Sequence, residues 1–347
     1  MPKRTRSFES LGYAIRAIRK EVFGFQFAYP LEVVSEAGSR DSLHYYLYSD
    51  SLSWEAMRLD GAGIPRTWDR TSGTNYWPGY IAWYGLVNLG HYLRRRDQMS
   101  LDVFLKQIGW LEHHAVVKDG AAIWPMNFDY LVQPVFLKAP WISAHVQGLV
   151  ISALVRGWRV TRNPHLLELL TKSAKVFESD VEDNGLRVRV NEHVLYTEAP
   201  GYPPPGILDG FMTSLLGLYD LFVETGNSRV GELFTQGVDG LKYMLPTWNY
   251  RNKWSWYGSR AYLCPPAYHC LNRLLLATLA RLSNESYFAE CAESWDPNRL
   301  SLLERTEIFL AFVSTKNACR IKHRSWRAKD LERDGSKNRS VPVPNSA

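Results

Sequence analysis

The feature that most constrains this chain is the pairing of its helical segments. Long stretches with apolar residues at helical spacing arrive two at a time, with only a few polar residues between partners. "PGYIAWYGLVNLGHYLRRR" starts on a proline, as first helical turns prefer. It is followed at once by "MSLDVFLKQIGWLEHHAVV", with Leu101, Phe104, Leu105, Ile108 and Leu111 towards one face. Helical pattern resumes over 141–159 and 164–178, linked by "TRNP", in which Asn163 and Pro164 supply cap and first turn. It resumes again over 207–225 and 228–244, linked by "ETGNS", and over 266–283 and 299–314. Links this short make consecutive helices antiparallel neighbours.

The expected fold is therefore mainly α. If such pairs close into a ring with their loops at one end, the result is an α/α toroid, a complete or incomplete (α/α)6-type barrel. An irregular helical bundle fits the same pattern. "GLRVRVNEHVLYTE" alternates and is β-branched, which predicts a small β-hairpin. "LHYYLYSDSLSWEAMRL" reads as extended or hairpin structure, 118–140 as a long loop, and 8–23 as a short basic amphipathic helix. The expected organisation is a basic N-terminal segment over 1–39, a helical domain over 40–315 and a basic, disordered tail over 316–347.

One helix is unusual. "WISAHVQGLVISALVRGW", residues 141–158, places Ile142, Val146, Leu149 and Ala153 on an apolar side. Ser143, His145, Gln147 and Ser152 occupy much of the rest, and Gly148 sits in the middle at a cost of about 1 kcal/mol against alanine. Either this is a close helix crossing with satisfied polar groups, or one end of the helix lines a polar cleft.

Charge narrows the partners. Residues 1–20 hold six Lys/Arg against one acid and 316–347 hold nine against three, so the chain's net +6 resides in its ends and the body is acidic. That distribution argues against a broad nucleic-acid face. Aromatics make up 13% of the residues, and the many Tyr and Trp suit sugar-stacking surfaces as well as a core. Cys264, Cys270, Cys291 and Cys319 form neither a CxxC pair nor a dense framework, as in a reducing compartment. "CPPAYHC" gathers two Cys and His269 but lacks a second ligand cluster, so no metal is expected. No secretory signal and no membrane-spanning run is apparent, and a cytoplasmic location is expected, with membrane-peripheral contact through the basic ends as its variant. A homodimer is the oligomer considered.

Three clusters at loop edges carry candidate chemistry: "YTEAPGYPPPG" with Tyr196, Glu198 and Tyr202, "WSWYGSR" with Tyr257 and Arg260, and "PPAYHC" with Tyr268 and His269. Taken alone, each also reads as loop-tethering hydroxyls and a paired arginine.

Together the motifs are similar to those of the D-glucuronyl C5-epimerases, in their C-terminal helical domain. Trp141, Ser143, Ala144, Gln147, Gly148, Ile151, Ser152, Leu154 and Arg156 match the W-x-S-A-x-x-Q-G-x-x-I-S-x-L-x-R pattern. "ILDGFMTSLLGLYDL", "LFTQGVDGLKYMLP" and "YWPGYIAWYGL" resemble further family segments, in order, over roughly 60–283. The resemblance implies an α/α barrel with a cleft at its loop end, and conversion of glucuronyl to iduronyl units in a polysaccharide by proton removal and return at C5. It places the catalytic residues at Glu198, Tyr257, Arg260 and Tyr268, with no cofactor. Substrate contacts are expected from Tyr76, Trp141, His145, Gln147, Tyr196 and His269, and the partner is an anionic uronate polysaccharide or oligosaccharide. The chain departs from the family in three places. Ala199 stands where a tyrosine follows the acid, Asn272 stands where a second histidine is found, and the large β-sheet domain of the longer enzymes is missing. A uronate lyase, a glycoside hydrolase pairing Glu198 with Asp209, and a non-catalytic glycan-binding protein are the rival readings.

Overall fold

A computed structural model describes residues 19, 24–27, 30–50, 57–69, 71–132, 135–201, 206–258 and 262–322. All but residue 19 of the expected helix over 8–23, together with Tyr202, Arg260 and the chain beyond 322, lie outside these residues.

Among the described residues, eight helices form four hairpins. They are α1 (Pro78–Arg95) with α2 (Gln98–His113), α3 (Ala144–Thr161) with α4 (Pro164–Ser173), α5 (Leu208–Thr225) with α6 (Ser228–Met244), and α7 (Pro266–Ser283) with α8 (Ser286–Ser294). A last helix, α9, spans Leu302–Lys322. Every hairpin turns in the same way. The first helix ends on a left-handed residue, Arg96, Arg162, Gly226 or Asn284. The next residue, Asp97, Asn163, Asn227 or Glu285, then caps the second helix by accepting from a backbone N–H two residues on. Two residues thus stop one helix and start its antiparallel partner.

Helices α1, α3, α5 and α7 run in one direction as an inner row. α3 packs along α5, and the row continues from α1 to α3 and from α5 to α7. Their C-terminal ends share one chain segment, residues 38–49. Within it Tyr48 lies over Arg94 of α1, the His44 carbonyl accepts from Arg156 of α3, Tyr46 donates to Asp220 of α5, and Gly38 abuts Leu282 of α7. Arg156 and Asp220 form a bidentate, fully buried ion pair (2.7 and 3.3 Å), with Tyr46 Oη donating to the same carboxylate at 2.8 Å. Removing one partner of such a pair costs about 3–5 kcal/mol.

Small β elements fill the links. β1 (Glu32–Val33) pairs with β2 (Leu47–Tyr48), and β3 (Met57–Leu59), β4 (Pro65–Asp69) and β5 (Gly73–Asn75) form an antiparallel sheet. Residues 118–140, read above as a loop, instead carry parts of two hairpins: β6 (Val116–Lys118) with β7 (Ala121–Ile123), and β8 (Tyr130–Val132) with β9 (Val135–Leu137). Three-residue strands are too short to show alternation in sequence. The expected hairpin over 185–198 is present as β10 (Arg187–Val190) with β11 (His193–Tyr196). β12 (Asn249–Tyr250) pairs with β13 (Trp254–Ser255) before α7. The links holding β6–β9, β10–β11 and β12–β13 all lead into the N-terminal ends of inner helices.

Residues near both ends of the described chain pack on the helical body. Phe25 and Phe27 pack on Trp254, and Phe25 also meets Phe309 and Phe312 of α9, so this part of 1–39 belongs to the packed body. α9 continues past residue 315, and Lys316 lies 4.7 Å from the centre of the Tyr262 ring. Among the described residues, no helix is long and apolar enough to cross a membrane.

Candidate active site

The N-terminal turns of the inner row gather polar groups in one place. His145 stands in the first turn of α3, which Ser143 caps. Glu198 follows β11 and lies against the first turn of α5. A β-carbon on Gly210 would fall 2.0 Å from Glu198 Oε2, so glycine there makes room for the acid. Glu198 Oε2 is shut off from solvent, has no hydrogen-bond partner among the described residues, and faces His145 Nδ1 at 3.7 Å. That separation is an ion pair rather than a hydrogen bond. Both side chains are partly open, at 28% and 22% exposure. Burial by itself would lower the His145 pKa, but the Glu198 carboxylate beside it, aided by the charge of Asp209, raises it above the usual histidine value.

Two tyrosines complete the cluster. Tyr268, in the first turn of α7, is 39% exposed and packs edge-on against Tyr257 at 5.3 Å. The enclosing walls, then Tyr80, Asp209, Glu198 and Tyr130, push its phenol well above the usual range. Tyr80 of α1 is held up by the same means, with Tyr130, Glu198 and Asp209 as the charges it senses. Both phenols therefore keep their protons firmly and are suited to donate a hydrogen bond or a proton. Tyr257 also stacks on Tyr262 at 5.3 Å.

The family model described as D-glucuronyl C5-epimerase C-terminus matches residues 118–297, more than half of the chain. This chain belongs to that family. It is similar to D-glucuronyl C5-epimerase of Caenorhabditis elegans, 27% identical over 220 residues, which are 58% of this chain and 35% of the relative. It is also similar to an uncharacterized protein of Methanocaldococcus jannaschii, 26% identical over 178 residues, 50% of this chain and 56% of the relative. The chain therefore spans about a third and just over half of these two relatives.

Within this C5-epimerase-type domain, His145 lies beside Glu198 and Tyr257 beside Tyr268, while Arg260 lies outside the described residues. Four expected substrate contacts are spent elsewhere. Gln147 is buried and donates to the carbonyls of Ala122 and Ser173 at 2.8 and 2.9 Å. Tyr196 is buried and donates to the Leu233 carbonyl. Trp141 is buried, donates to the Phe128 carbonyl and stacks behind Tyr130. His269 accepts the Ser255 N–H at Nδ1, so its Nε2–H donates to the Trp295 carbonyl at 2.9 Å. With both nitrogens engaged and burial pushing its pKa down to about 3, His269 is a neutral structural group, available neither to sugar nor to metal. Tyr76 is exposed, with its hydroxyl on Asp60 at 2.7 Å. Ala199 is buried and bonded through its backbone to Thr197. Asn272 donates to Ser255 Oγ beneath His269, away from solvent.

The sequence reading missed Tyr80 and Tyr130, and noted Asp209 only as a second carboxylate. Tyr80 sits inside an apolar helical pattern, where a tyrosine reads as core. Its place as the third residue of a helix that opens at a loop was the available signal.

Proposed function

We propose that the protein is a polysaccharide uronate C5-epimerase of the glucuronyl-to-iduronyl type, its helix pairs forming part of an α/α toroid with the reactive cleft at the N-terminal ends of α1, α3, α5 and α7. The observation that carries the reading is the convergence of Glu198, His145, Tyr80 and Tyr268 on that end, in a chain of this family. Four parallel helix N-termini also favour an anionic ligand.

The C5 hydrogen of a uronate is barely acidic, because the adjacent carboxylate is already negative. A cation on that carboxylate must stabilise the enediolate that develops. Arg260 is assigned this role on its sequence position, as a bidentate clamp. Glu198 takes the C5 proton, and the electron pair moves into the carboxylate as the enediolate. Tyr268 returns a proton from its hydroxyl to the opposite face of C5, and Tyr257 braces that ring. In the reverse direction the two roles exchange. Asp209, near the same phenols, supports a second reading in which the two carboxylates hydrolyse a glycosidic bond.

The test is incubation with a glucuronate-containing polymer in D2O. Deuterium at C5 with inverted uronate, without a rise in ultraviolet absorbance or reducing ends, is expected. Absorbance from an unsaturated product would make the protein a lyase, new reducing ends a hydrolase, and binding with neither exchange nor cleavage a glycan-binding relative.

A further inference from the structure

The β3–β5 sheet carries a surface with no place in the chemistry above. Arg66 and Trp68 lie two residues apart in β4 and so share one face, and Arg58 joins them through its register with Arg66. On the other face Pro65 is buried. Trp68 is 61% exposed. β5 then runs directly into Tyr76, itself 41% exposed, and into α1, whose first turn carries Tyr80 of the cleft.

Arg58 and Arg66, opposite each other in the β3–β4 register, put two positive charges on this face. Asp60, the carboxylate close enough to influence Arg66, already accepts from Tyr76 Oη, Ala62 N and Ile64 N. Arg66 Nε is closed off from solvent and has no hydrogen-bond partner among the described residues, so a ligand would meet the outer part of the guanidinium. Exposed rings beside an arginine fit a ligand that has both apolar ring faces and negative charge. A polysaccharide bearing uronates has both.

We propose that the Arg66–Trp68 face of the sheet, with Tyr76 at its edge, is an accessory subsite that holds sugar units of a uronate polysaccharide beyond the unit in the cleft. The proposal rests on the assigned substrate class but does not require that the cleft reaction be epimerisation. Trp68 stacks on a sugar ring, and Arg66 pairs with a carboxylate of a neighbouring unit.

The experiment compares binding of a glucuronate-containing disaccharide and decasaccharide by calorimetry, in the parent, Trp68→Ala, Trp68→Phe and Arg66→Gln. The decasaccharide should bind the parent more tightly than the disaccharide. Trp68→Ala should weaken it about tenfold, the loss of one good ring contact, with the disaccharide unchanged and Trp68→Phe close to the parent. Arg66→Gln should weaken decasaccharide binding and reduce its salt dependence. Equal decasaccharide affinity in the parent and Trp68→Ala, at equal melting temperature, overturns the subsite, as does a parent that binds no uronate chain. C5 exchange by the parent, measured in parallel, separates the two ideas. Exchange without a Trp68 effect removes the subsite and keeps the reaction, whereas a Trp68 effect without exchange keeps the subsite and removes the reaction.

Discussion

Gly148 of α3 and Gly217 of α5 touch backbone to backbone. A β-carbon on Gly217 would stand 2.4 Å from the Gly148 carbonyl oxygen, and one on Gly148 would stand 2.6 Å from both Ser214 Cα and the Thr213 carbonyl. Backbone cannot yield as a flexible side chain does. Gly148→Ala gains helix propensity of about 1 kcal/mol yet should lose stability overall, by about 2 kcal/mol or more, because the two helices must separate. Chemical denaturation of the single variant measures it. A stability equal to the parent's would mean that the crossing is looser than described.

Further along the same two helices, Asp220→Asn leaves Arg156 buried and charged without a counter-charge. The expected loss is about 3–5 kcal/mol. Replacing Arg156 and Asp220 together by Met and Leu should cost less than Asp220→Asn alone, since no charge is then stranded. A double variant less stable than Asp220→Asn would show that packing, not charge, governs this position.

Most helix starts were legible because they are chemically marked, by proline at α1, α4 and α7 or by a capping side chain at α2, α3 and α6. α5 starts without either, and only Gly226 and Asn284 mark a left-handed stop in sequence. The crossing at Gly148 was legible too, since a glycine amid good helix formers calls for a close neighbour. The pair α7–α8 was only half seen, because α8 is short and its cap, Glu285, is a less common one. In the site, Glu198, Tyr257 and Tyr268 stood out because polar and aromatic residues cluster beside helix-breaking loops. Gln147, Tyr196 and His269 look equally functional in sequence. What separates them is a partner carbonyl on another element, and a carbonyl has no letter of its own.

His269 makes a prediction about acid stability. In the folded protein its pKa is depressed to about 3, while an unfolded histidine titrates near 6.5. Between these values the unfolded chain holds a proton that the folded one does not. Stability contributed by the neutral imidazole is therefore complete above about pH 6.5 and declines as pH falls, by up to about 1.4 kcal/mol per pH unit. His269→Gln can still accept from Ser255 N–H and donate to the Trp295 carbonyl, without titrating. Urea unfolding between pH 7 and pH 4 should give a shallower pH slope for the variant. Parallel slopes would show that His269 protonates without penalty.

The pairing of His145 with Glu198 is the sharpest test of the cleft. Glu198 raises the His145 pKa, so the imidazolium persists to higher pH than in an isolated histidine. Its contribution to stability is accordingly present below about pH 6.5 and is lost as pH rises through the raised folded value. Glu198→Gln keeps the shape but removes the charge, so the His145 pKa, followed by NMR of the ring protons, should fall below that of the parent. The same variant should lose about 10²–10⁴-fold in C5 exchange, the range for a general acid–base group, while retaining much of its uronate affinity. His145→Gln should leave exchange measurable but change its pH profile, because the charge that accompanies Glu198 is then gone. An unshifted His145 in Glu198→Gln would dissolve the pair, and full C5 exchange in that variant would take Glu198 out of the reaction.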